Sequence, residues 1–188
     1  MQHNIVILLG VQGCGKGTVA SGLLAIHDYD YIETGALFRG LDRGMPLGAE
    51  IGQIMESGQL VPDELTCKLV ESKLTANRDI LTDGFPRTVQ QAEWLVNWAV
   101  KNGFITKAVI LNIPREMAFQ RIQNRLSKGG GRKDDADPTA VARRLDEYYA
   151  KTEPMVQYLR NTPDVQFIDI DGTQSIETVF ENVKEKLK

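Results

Sequence analysis

The sequence predicts an α/β fold of three layers, in which a five-stranded parallel sheet lies between two layers of helices. Short apolar runs alternate along the chain with segments of helical periodicity, as in strand–helix–strand units. The first run, residues 5–9, contains only isoleucine, valine and leucine, which is typical of a parallel strand buried on both faces. A glycine-rich turn follows this strand and leads directly into a helical segment.

The glycine-rich turn has P-loop spacing and reads Gly10-Val-Gln-Gly13-Cys-Gly15-Lys16-Gly17-Thr18. Glycines allow successive backbone N–H groups to point at a phosphate, and the following helix adds the positive end of its dipole. Lys16 supplies a mobile charge for the outer phosphates. Gly17 stands where a P-loop usually has serine or threonine. The usual hydroxyl ligand for magnesium is therefore missing at this position, and whether another hydroxyl replaces it stays open. The strand–turn–helix context predicts phosphate binding.

Four further runs predict the other strands, at residues 29–33, 79–83, 107–113 and 165–170. Residues 33–62 predict a small helical insertion, in which Thr34 is placed to cap one helix. The segment that ends at Asp63 is placed to cap the next helix. Residues 84–88 form a turn after the third strand. Because ligands bind beyond the carboxyl ends of parallel strands, this turn and the P-loop are expected to share one crevice.

A short loop at residues 126–136 contains three consecutive glycines, which predicts a mobile tip. A long helix is expected from Pro138 to about residue 159, with a bend at Pro154. Arginines at loops and helix starts are expected to converge on the crevice: Arg39, Arg87, Arg121, Arg125, Arg132, Arg143 and Arg144.

At 188 residues the chain is expected to form one domain, residues 1–188. A net charge of −3 argues against a general nucleic-acid binder. No apolar run approaches about 18 residues and no basic leader precedes the first strand, so we expect no membrane span and no secretion signal. Cys14 and Cys67 lack metal-ligand spacing, and a reducing cytoplasm is expected. Cys14 is either a reactive thiol or a small residue that fills its place.

The P-loop restricts the function to nucleotide binding, phosphoryl transfer or a nucleotide-driven switch, and the arginines favour phosphoryl transfer. The reaction concentrates negative charge on the transferred group, which bidentate guanidinium groups stabilise. Neither histidine lies near these elements. An acceptor that is already an ionised phosphate needs no protein base to remove a proton.

A set of motifs recurs in order after the P-loop: Thr34-Gly35-x-x-x-Arg39, Gly58-x-Leu60-Val61-Pro62-Asp63-Glu64, Asp83-Gly-Phe-Pro-Arg87-Thr88-x-x-Gln91-Ala92, Arg121-x-x-x-Arg125, Arg132-x-Asp134-Asp135 and Arg144-Leu-x-x-Tyr-Tyr149-x-x-Thr-Glu-Pro154. Together with Lys-Gly-Thr in the P-loop, these motifs resemble the adenylate kinases of the nucleoside monophosphate kinase family, in their short-lid form. The resemblance runs from the first strand to the last helix. It implies a P-loop fold with residues 33–62 as the NMP-binding insertion and residues 126–136 as the lid.

The resemblance implies reversible phosphoryl transfer from MgATP to AMP, giving two ADP and serving adenine nucleotide homeostasis. By motif position, ATP would be held by Gly13, Cys14, Gly15, Lys16, Gly17, Thr18, Arg121, Arg125 and Gln174. AMP would be held by Thr34, Arg39, Gln59, Leu60, Val61, Gly84, Phe85, Pro86, Arg87, Gln91, Arg132 and Arg144. The catalytic residues among them would be Lys16, Arg87, Arg125, Arg132 and Arg144.

Within these sites the resemblance also implies individual roles. Arg39 and Arg87 would hold the AMP phosphate, and Thr34 and Gln91 would read its adenine. Asp83 would act on Mg²⁺ through water, since this ion tends to keep its hydration shell. No zinc is expected, because the lid has no cysteine quartet. ATP, AMP and ADP are the expected partners, without nucleic acid or membrane, and a monomer is expected.

The chain departs from the family pattern in two places. Ala36 stands where many members have aspartate. The spacing from Arg132 to Leu145 is one residue longer than usual, so Arg143 and Arg144 are both candidates for the last active-site arginine. Two other functions stay open. One is a kinase for UMP, CMP or GMP, and the other is a regulator that binds ATP or ADP without turnover, although a pure binder has no need of transition-state charges.

Overall fold

The structure is a computed structural model that describes residues 2–57, 59–131 and 133–188, and for residues 133 and 134 the backbone alone. Its strands are β1 (Asn4–Leu9), β2 (Tyr29–Glu33), β3 (Asp79–Asp83), β4 (Ile105–Asn112) and β5 (Val165–Asp171). They form one parallel sheet of five strands in the order β2-β3-β1-β4-β5. The predicted fold class is therefore confirmed.

The helices of the described residues are α1 (Lys16–Ile26), α2 (Thr34–Arg39), α3 (Pro46–Glu56), α4 (Asp63–Glu71), α5 (Val89–Lys101), α6 (Arg115–Ser127), α7 (Pro138–Glu147), α8 (Glu153–Arg160) and α9 (Ile176–Leu187). A 3-10 turn, Lys133–Ala136, precedes α7, and a π-helical turn, Tyr148–Thr152, joins α7 to α8. None of the described helices is both long enough and apolar enough to cross a membrane.

The central strand β1 separates two hydrophobic clusters, because alternate side chains of a strand point to opposite faces. Ile5 and Ile7 belong to one cluster, which contains residues of α5 and α8. Val6 and Leu8 belong to the other, which contains residues of α1, α6 and α9. All four side chains are at most 1% exposed, so the sheet is covered on both faces and its carboxyl edge is left for ligands.

Helices α2, α3 and α4 follow β2 and precede β3, and they have a small core of their own. Phe38, Ile51 and Val61 are buried together there, with Leu65 and Leu69 partly buried against them. This cluster is separate from the two clusters of the sheet. The segment therefore stands beside the carboxyl edge of the sheet as a compact helical unit.

The long helix expected from Pro138 contains an irregularity just before Pro154. Proline lacks an N–H donor, and its ring clashes with the carbonyl four residues earlier in a regular helix, here that of Ala150. Ala150 lies within the π-helical turn Tyr148–Thr152. A widened turn relieves this clash while the chain stays helical, which explains how α7 and α8 continue one another.

Candidate active site

A cavity of about 1340 Å³ opens at the carboxyl ends of β1, β2 and β3. As expected, it is bordered by both the P-loop and the turn that follows β3. Its volume exceeds the roughly 300–1,000 Å³ of a common small-molecule site. Predicted site residues that line it are Gly13, Cys14, Gly15, Lys16, Gly17, Thr18, Leu60, Asp83, Gly84, Pro86, Arg87, Arg121, Arg125, Arg144 and Gln174.

The P-loop turns from β1 into α1 through backbone conformations that favour glycine. Gly10, Gly13 and Gly15 have φ angles of 132°, 86° and 109°, and α1 begins at the next residue, Lys16. The cavity therefore lies at the N-terminus of a helix, where free N–H groups and the helix dipole favour an anion.

Two kinds of glycine occur in this loop. A Cβ atom on Gly13 would lie 2.8 Å from the backbone oxygen of Ala118 in α6, so a side chain there would collide with the protein itself. Cβ atoms on Gly15 and Gly17 would meet no atom within 4 Å. These two glycines border open space on the cavity side, where a phosphate would approach.

The Lys16 side chain folds back over the loop. Its Nζ donates hydrogen bonds to the backbone oxygens of Gly10 at 2.7 Å and Val11 at 3.4 Å, and lies 3.7 Å from Cys14 Sγ. The ammonium group is thus already inside the curve of the loop. Cys14 is 2% exposed within the sheet cluster, which favours the interpretation of a packed small residue over a reactive thiol.

A buried carboxylate, Asp135, holds two arginines at the edge of the cavity. Its Oδ1 accepts from Arg144 Nη2 at 2.6 Å and from Gln12 Nε2 at 3.1 Å, and its Oδ2 accepts from Arg125 Nη2 at 2.5 Å. The negative charge of Asp135 lies between the two guanidinium groups and offsets the repulsion that would otherwise separate them. Gln12, Arg125, Asp135 and Arg144, here called the Asp135 cluster, thus join the P-loop to α6 and α7.

The two arginines that compete for one role point to different places. Arg144 lines the cavity, and its side chain is 11% exposed. Arg143 instead donates from Nη1 to the backbone oxygen of Ser57, at the end of α3, at 2.8 Å. The structure therefore favours Arg144 as the arginine of the site. Arg132, and Gly58 of the same motif set, lie outside the described residues.

Arg121 spans two walls of the cavity. Its Nη2 donates to the backbone oxygen of Gly172 at 3.0 Å, and its Nη1 to that of Cys14 at 3.4 Å. Gln174 lies beyond Gly172 at the same wall, where its Nε2 donates to Asp171. The guanidinium plane is therefore fixed between the P-loop and the turn after β5, a placement that suits stacking on a base.

Thr34 does not cap a helix, contrary to the sequence-based expectation. The N-cap residue of α2 is Glu33, and its side chain does not cap the helix. The Thr34 hydroxyl donates instead to the backbone oxygen of Gly84 at 2.8 Å and is buried there. This hydrogen bond joins the end of β2 to the turn after β3. Arg39 donates to Glu33 Oε1 at 2.8 Å, at the same edge of the sheet.

Asp63 does not cap its own helix either. The N-cap residue of α4 is Pro62, which makes no side-chain cap, and the Asp63 carboxylate reaches across to α5. It accepts from Gln91 Nε2 at 2.7 Å and from Thr88 Oγ1 at 2.9 Å. Thr88 is the true N-cap of α5, because its hydroxyl also accepts from the Gln91 backbone N–H at 3.2 Å. The backbone N–H of Arg87 donates to Gln91 Oε1 at 2.8 Å.

Other predicted residues of the AMP site do not border the cavity. Phe85 and Val61 are buried in hydrophobic clusters, with Phe85 packed edge-on against Trp94. Their side chains therefore serve packing. The predicted residues away from the cavity wall are Thr34, Arg39, Gln59, Val61, Phe85 and Gln91.

The carboxylates at the strand ends suit a hydrated cation. Asp83 lies opposite Glu33 across β3 and β2, and both line the cavity. Burial raises the pKa of the nearby Tyr31, and the charges of Asp83 and Glu33 raise it further because they oppose a phenolate. Among the described residues no group of three or more histidine, cysteine, aspartate or glutamate side chains can hold a metal. Mg²⁺ bound mainly by water and substrate phosphates needs only one or two carboxylates, so Asp83 fits.

Comparison with known proteins identifies similar chains. A family model described as adenylate kinase matches residues 8–163. The adenylate kinase of Clostridium acetobutylicum is 37% identical over an alignment of 213 residues, and the alignment covers 97% of this chain and 98% of the relative. The adenylate kinase of Clostridium perfringens, strain SM101, is 34% identical over an alignment of 209 residues that covers 95% of this chain and 95% of the relative. That of Cyanothece sp. is 35% identical over 189 residues, 97% of this chain and 96% of the relative.

Proposed function

Because this chain belongs to the adenylate kinase family, its activity is reversible phosphoryl transfer between ATP and AMP to yield ADP, and we propose that the cavity described above is the site of transfer. The observation that carries the proposal is the arrangement of Lys16 and three arginines around one cavity. Lys16, Arg87, Arg125 and Arg144 all line it, and they come from the P-loop, the turn after β3, α6 and α7.

The donor nucleotide binds at the P-loop in this proposal. The phosphates of ATP occupy the open space beside Gly15 and Gly17, at the N-terminus of α1. Lys16 exchanges its bonds to loop carbonyls for bonds to the outer phosphates. The full set for ATP is Gly13, Cys14, Gly15, Lys16, Gly17, Thr18, Arg121, Arg125 and Gln174.

The acceptor AMP binds toward β2, β3 and the helical segment between them. Arg87 lines the cavity and holds the AMP phosphate together with Arg39, whose bond to Glu33 is exposed and exchangeable. Thr34 and Gln91 read the adenine. The remaining residues proposed for AMP are Gln59, Leu60, Val61, Gly84, Phe85, Pro86, Arg132 and Arg144.

Transfer proceeds by positioning and electrostatic stabilisation. An ionised AMP phosphate attacks without losing a proton, so no protein base is required. Arg87, Arg125 and Arg144 surround the group in transit and stabilise its charge, which is greatest as the bonds change. Asp83 would hold Mg²⁺ through water, and the ion, bound with ATP, would supply positive charge to the phosphate oxygens. The lid at residues 126–136 closes to exclude water, which would compete with AMP.

Several further assignments stay predictions. We expect no zinc, because residues 126–136 contain no cysteine. The cavity is built from one chain, which supports a monomer, and the free cysteines Cys14 and Cys67 suit a reducing cytoplasm. The net charge of −3 gives no support for a nucleic-acid partner.

A phosphoryl-transfer assay tests the proposal, with MgATP and each of AMP, CMP, UMP and GMP as acceptor. We expect rapid ADP formation with AMP and slow transfer to the other three. Equal transfer to another monophosphate would contradict the roles of Thr34 and Gln91. Binding of ATP without transfer to any acceptor would instead favour a nucleotide-binding regulator.

A further inference from the structure

We propose that Asp63 is a positioning residue that fixes the orientation of the Gln91 side-chain amide and thereby selects adenine over a 6-oxopurine. The inference rests on the proposed role of Gln91 at the AMP base. It goes beyond that role because it says which residue decides how Gln91 presents its donor and its acceptor.

The Gln91 amide is held from both ends in a buried position. Its nitrogen donates to Asp63 Oδ1 at 2.7 Å, and its oxygen accepts from the backbone N–H of Arg87 at 2.8 Å. The residue is 2% exposed, so solvent offers little replacement for either bond.

The chemistry of the two partners permits only one orientation of this amide. An ionised carboxylate accepts and cannot donate, whereas a backbone N–H donates and cannot accept. If the amide turned over, its oxygen would face Asp63 and its NH2 group would face the Arg87 N–H. The two hydrogen bonds would then be replaced by a contact between two acceptors at Asp63 and a contact between two donors at Arg87.

The Asp63 carboxylate is itself braced. Thr88 Oγ1 donates to Oδ2 at 2.9 Å, and the same hydroxyl accepts from the Gln91 backbone N–H at 3.2 Å. Asp63 is the first residue of α4, where an acidic side chain usually interacts with its own helix, and the preceding N-cap residue, Pro62, makes no side-chain cap. The carboxylate instead accepts from Thr88 and Gln91, which lie 25 and 28 residues further along the chain, respectively.

A fixed amide discriminates between purines. After its two bonds are made, the Gln91 side chain retains one acceptor position on its oxygen and one N–H. Adenine presents an amino donor at C6 and an acceptor at N1, which match this pair. A 6-oxopurine presents an acceptor at C6 and a donor at N1, the reverse order. A glutamine that is free to turn over accepts both bases, and one that is fixed accepts adenine alone.

The test compares AMP with IMP, its 6-oxo counterpart, as acceptors at saturating MgATP. In Asp63→Asn the new NH2 group can face the Gln91 oxygen, so the reversed amide loses one of its two unfavourable contacts and only the Arg87 N–H still opposes it. We expect the ratio of kcat/KM for AMP to that for IMP to fall about tenfold relative to wild type, mainly through a higher KM for AMP. The KM for MgATP should stay unchanged.

The matched control is Glu64→Gln, which removes the same charge at the next residue. Its carboxylate is exposed and pairs with Lys68 on the same helix, so the AMP-to-IMP ratio should not change. If Asp63→Asn lowers kcat/KM for AMP and IMP by the same factor, Asp63 only supports the fold locally and the proposal is wrong. Absence of transfer to AMP in the wild-type protein would instead contradict the proposed function.

A second pair of variants decides the matter should Asp63→Asn fail to fold. Thr88→Val removes the hydroxyl that braces Asp63, and Thr88→Ser retains it together with the cap of α5. We expect Thr88→Val to lower the AMP-to-IMP ratio in the same direction and Thr88→Ser to restore it. A ratio that is equal in both variants would overturn the proposal.

Discussion

Two carboxylates at opposite ends of the sheet gather hydrogen-bond donors from distant parts of the chain. Asp135 lies at the cavity beyond the carboxyl ends of the strands. Asp79 begins β3 at the opposite end, where it accepts from the Asn4 backbone N–H at 2.8 Å, from the Asn4 side chain at 3.3 Å and from His27 Nε2 at 2.9 Å. His3 Nδ1 lies 3.3 Å from the same carboxylate.

The donors explain why these similar clusters serve different ends. Asp135 accepts from two arginines and a P-loop amide, so it gathers positive charge at the cavity that we propose as the site of transfer. Asp79 collects groups from the start of β1 and the end of α1, so it fastens the framework. The role of such a carboxylate is therefore inferred from its partners and their location, since the chemistry of the carboxylate is the same at both ends.

Loss of Arg144 tests whether the cavity end depends on placed charge. We expect Arg144→Ala to lower kcat about 10³-fold, because the proposed site of transfer loses a guanidinium group that lines the cavity. Arg143→Ala is the matched control. Among the described contacts it removes an exposed hydrogen bond to the Ser57 carbonyl, so kcat should change by less than about threefold. Equal losses in the two variants would contradict the choice of Arg144.

Replacement of the Asp135 carboxylate should have a somewhat smaller effect on the rate. Asp135→Asn leaves Arg125 and Arg144 in place but without the charge that holds them together, and kcat should fall about 10²-fold. Steady-state kinetics on Asp146→Asn give the comparison, because that exposed aspartate pairs only with Arg115 among the described contacts. Normal turnover in Asp135→Asn would show that the two arginines position themselves.

The opposite end of the sheet should respond in stability and not in rate. Asp79→Asn removes charge-assisted bonds, and we expect the free energy of unfolding to fall by about 1.5–3 kcal/mol while kcat changes by less than about twofold. Urea denaturation measures the first quantity. Asp28→Asn, at a carboxylate that is 82% exposed, should change the stability by less than about 0.5 kcal/mol. A large loss of kcat in Asp79→Asn would break the contrast between the two ends.

The smallest expected effect is the pH dependence of the Asp79 contribution. Burial alone would raise the pKa of Asp79, but bonds from Asn4, His27 and His3 together lower it. The folded protein therefore binds this proton less readily than the unfolded chain, whose aspartate pKa is about 3.9. Its contribution is complete above that pH and is lost as the pH falls through the lower folded value. The stability difference between wild type and Asp79→Asn should accordingly shrink below about pH 4.

Local patterns sufficed to predict the sheet and the P-loop. The apolar runs predicted every strand of the described sheet, because a buried parallel strand has few polar positions. Lys16 and the arginines were predicted because phosphate chemistry requires those residue types. Gln12 carried no signal of its own, since its partner Asp135 lies 123 residues away and only the fold brings them together.

The errors share one physical cause. Thr34 and the segment that ends at Asp63 were both expected to cap helices, and threonine and aspartate are common capping residues. Both side chains form hydrogen bonds with residues of other elements instead. Thr34 donates to the Gly84 carbonyl, and Asp63 accepts from Gln91 and Thr88. A capping side chain has few bonds to make, so a better-placed partner from another element excludes the cap. Sequence spacing alone contains no information about that competition.

The two kinds of glycine in the P-loop imply two separate selections on one motif. A population of variants selected only for folding should reject every residue but glycine at position 13, because a Cβ atom there meets the Ala118 carbonyl. The same population should tolerate alanine at position 17, where a Cβ atom meets nothing. Selection for turnover should then remove those alanines. The glycines of one motif are thus retained for different reasons: Gly13 because the protein must fold, and Gly17 because the enzyme must turn over its substrates.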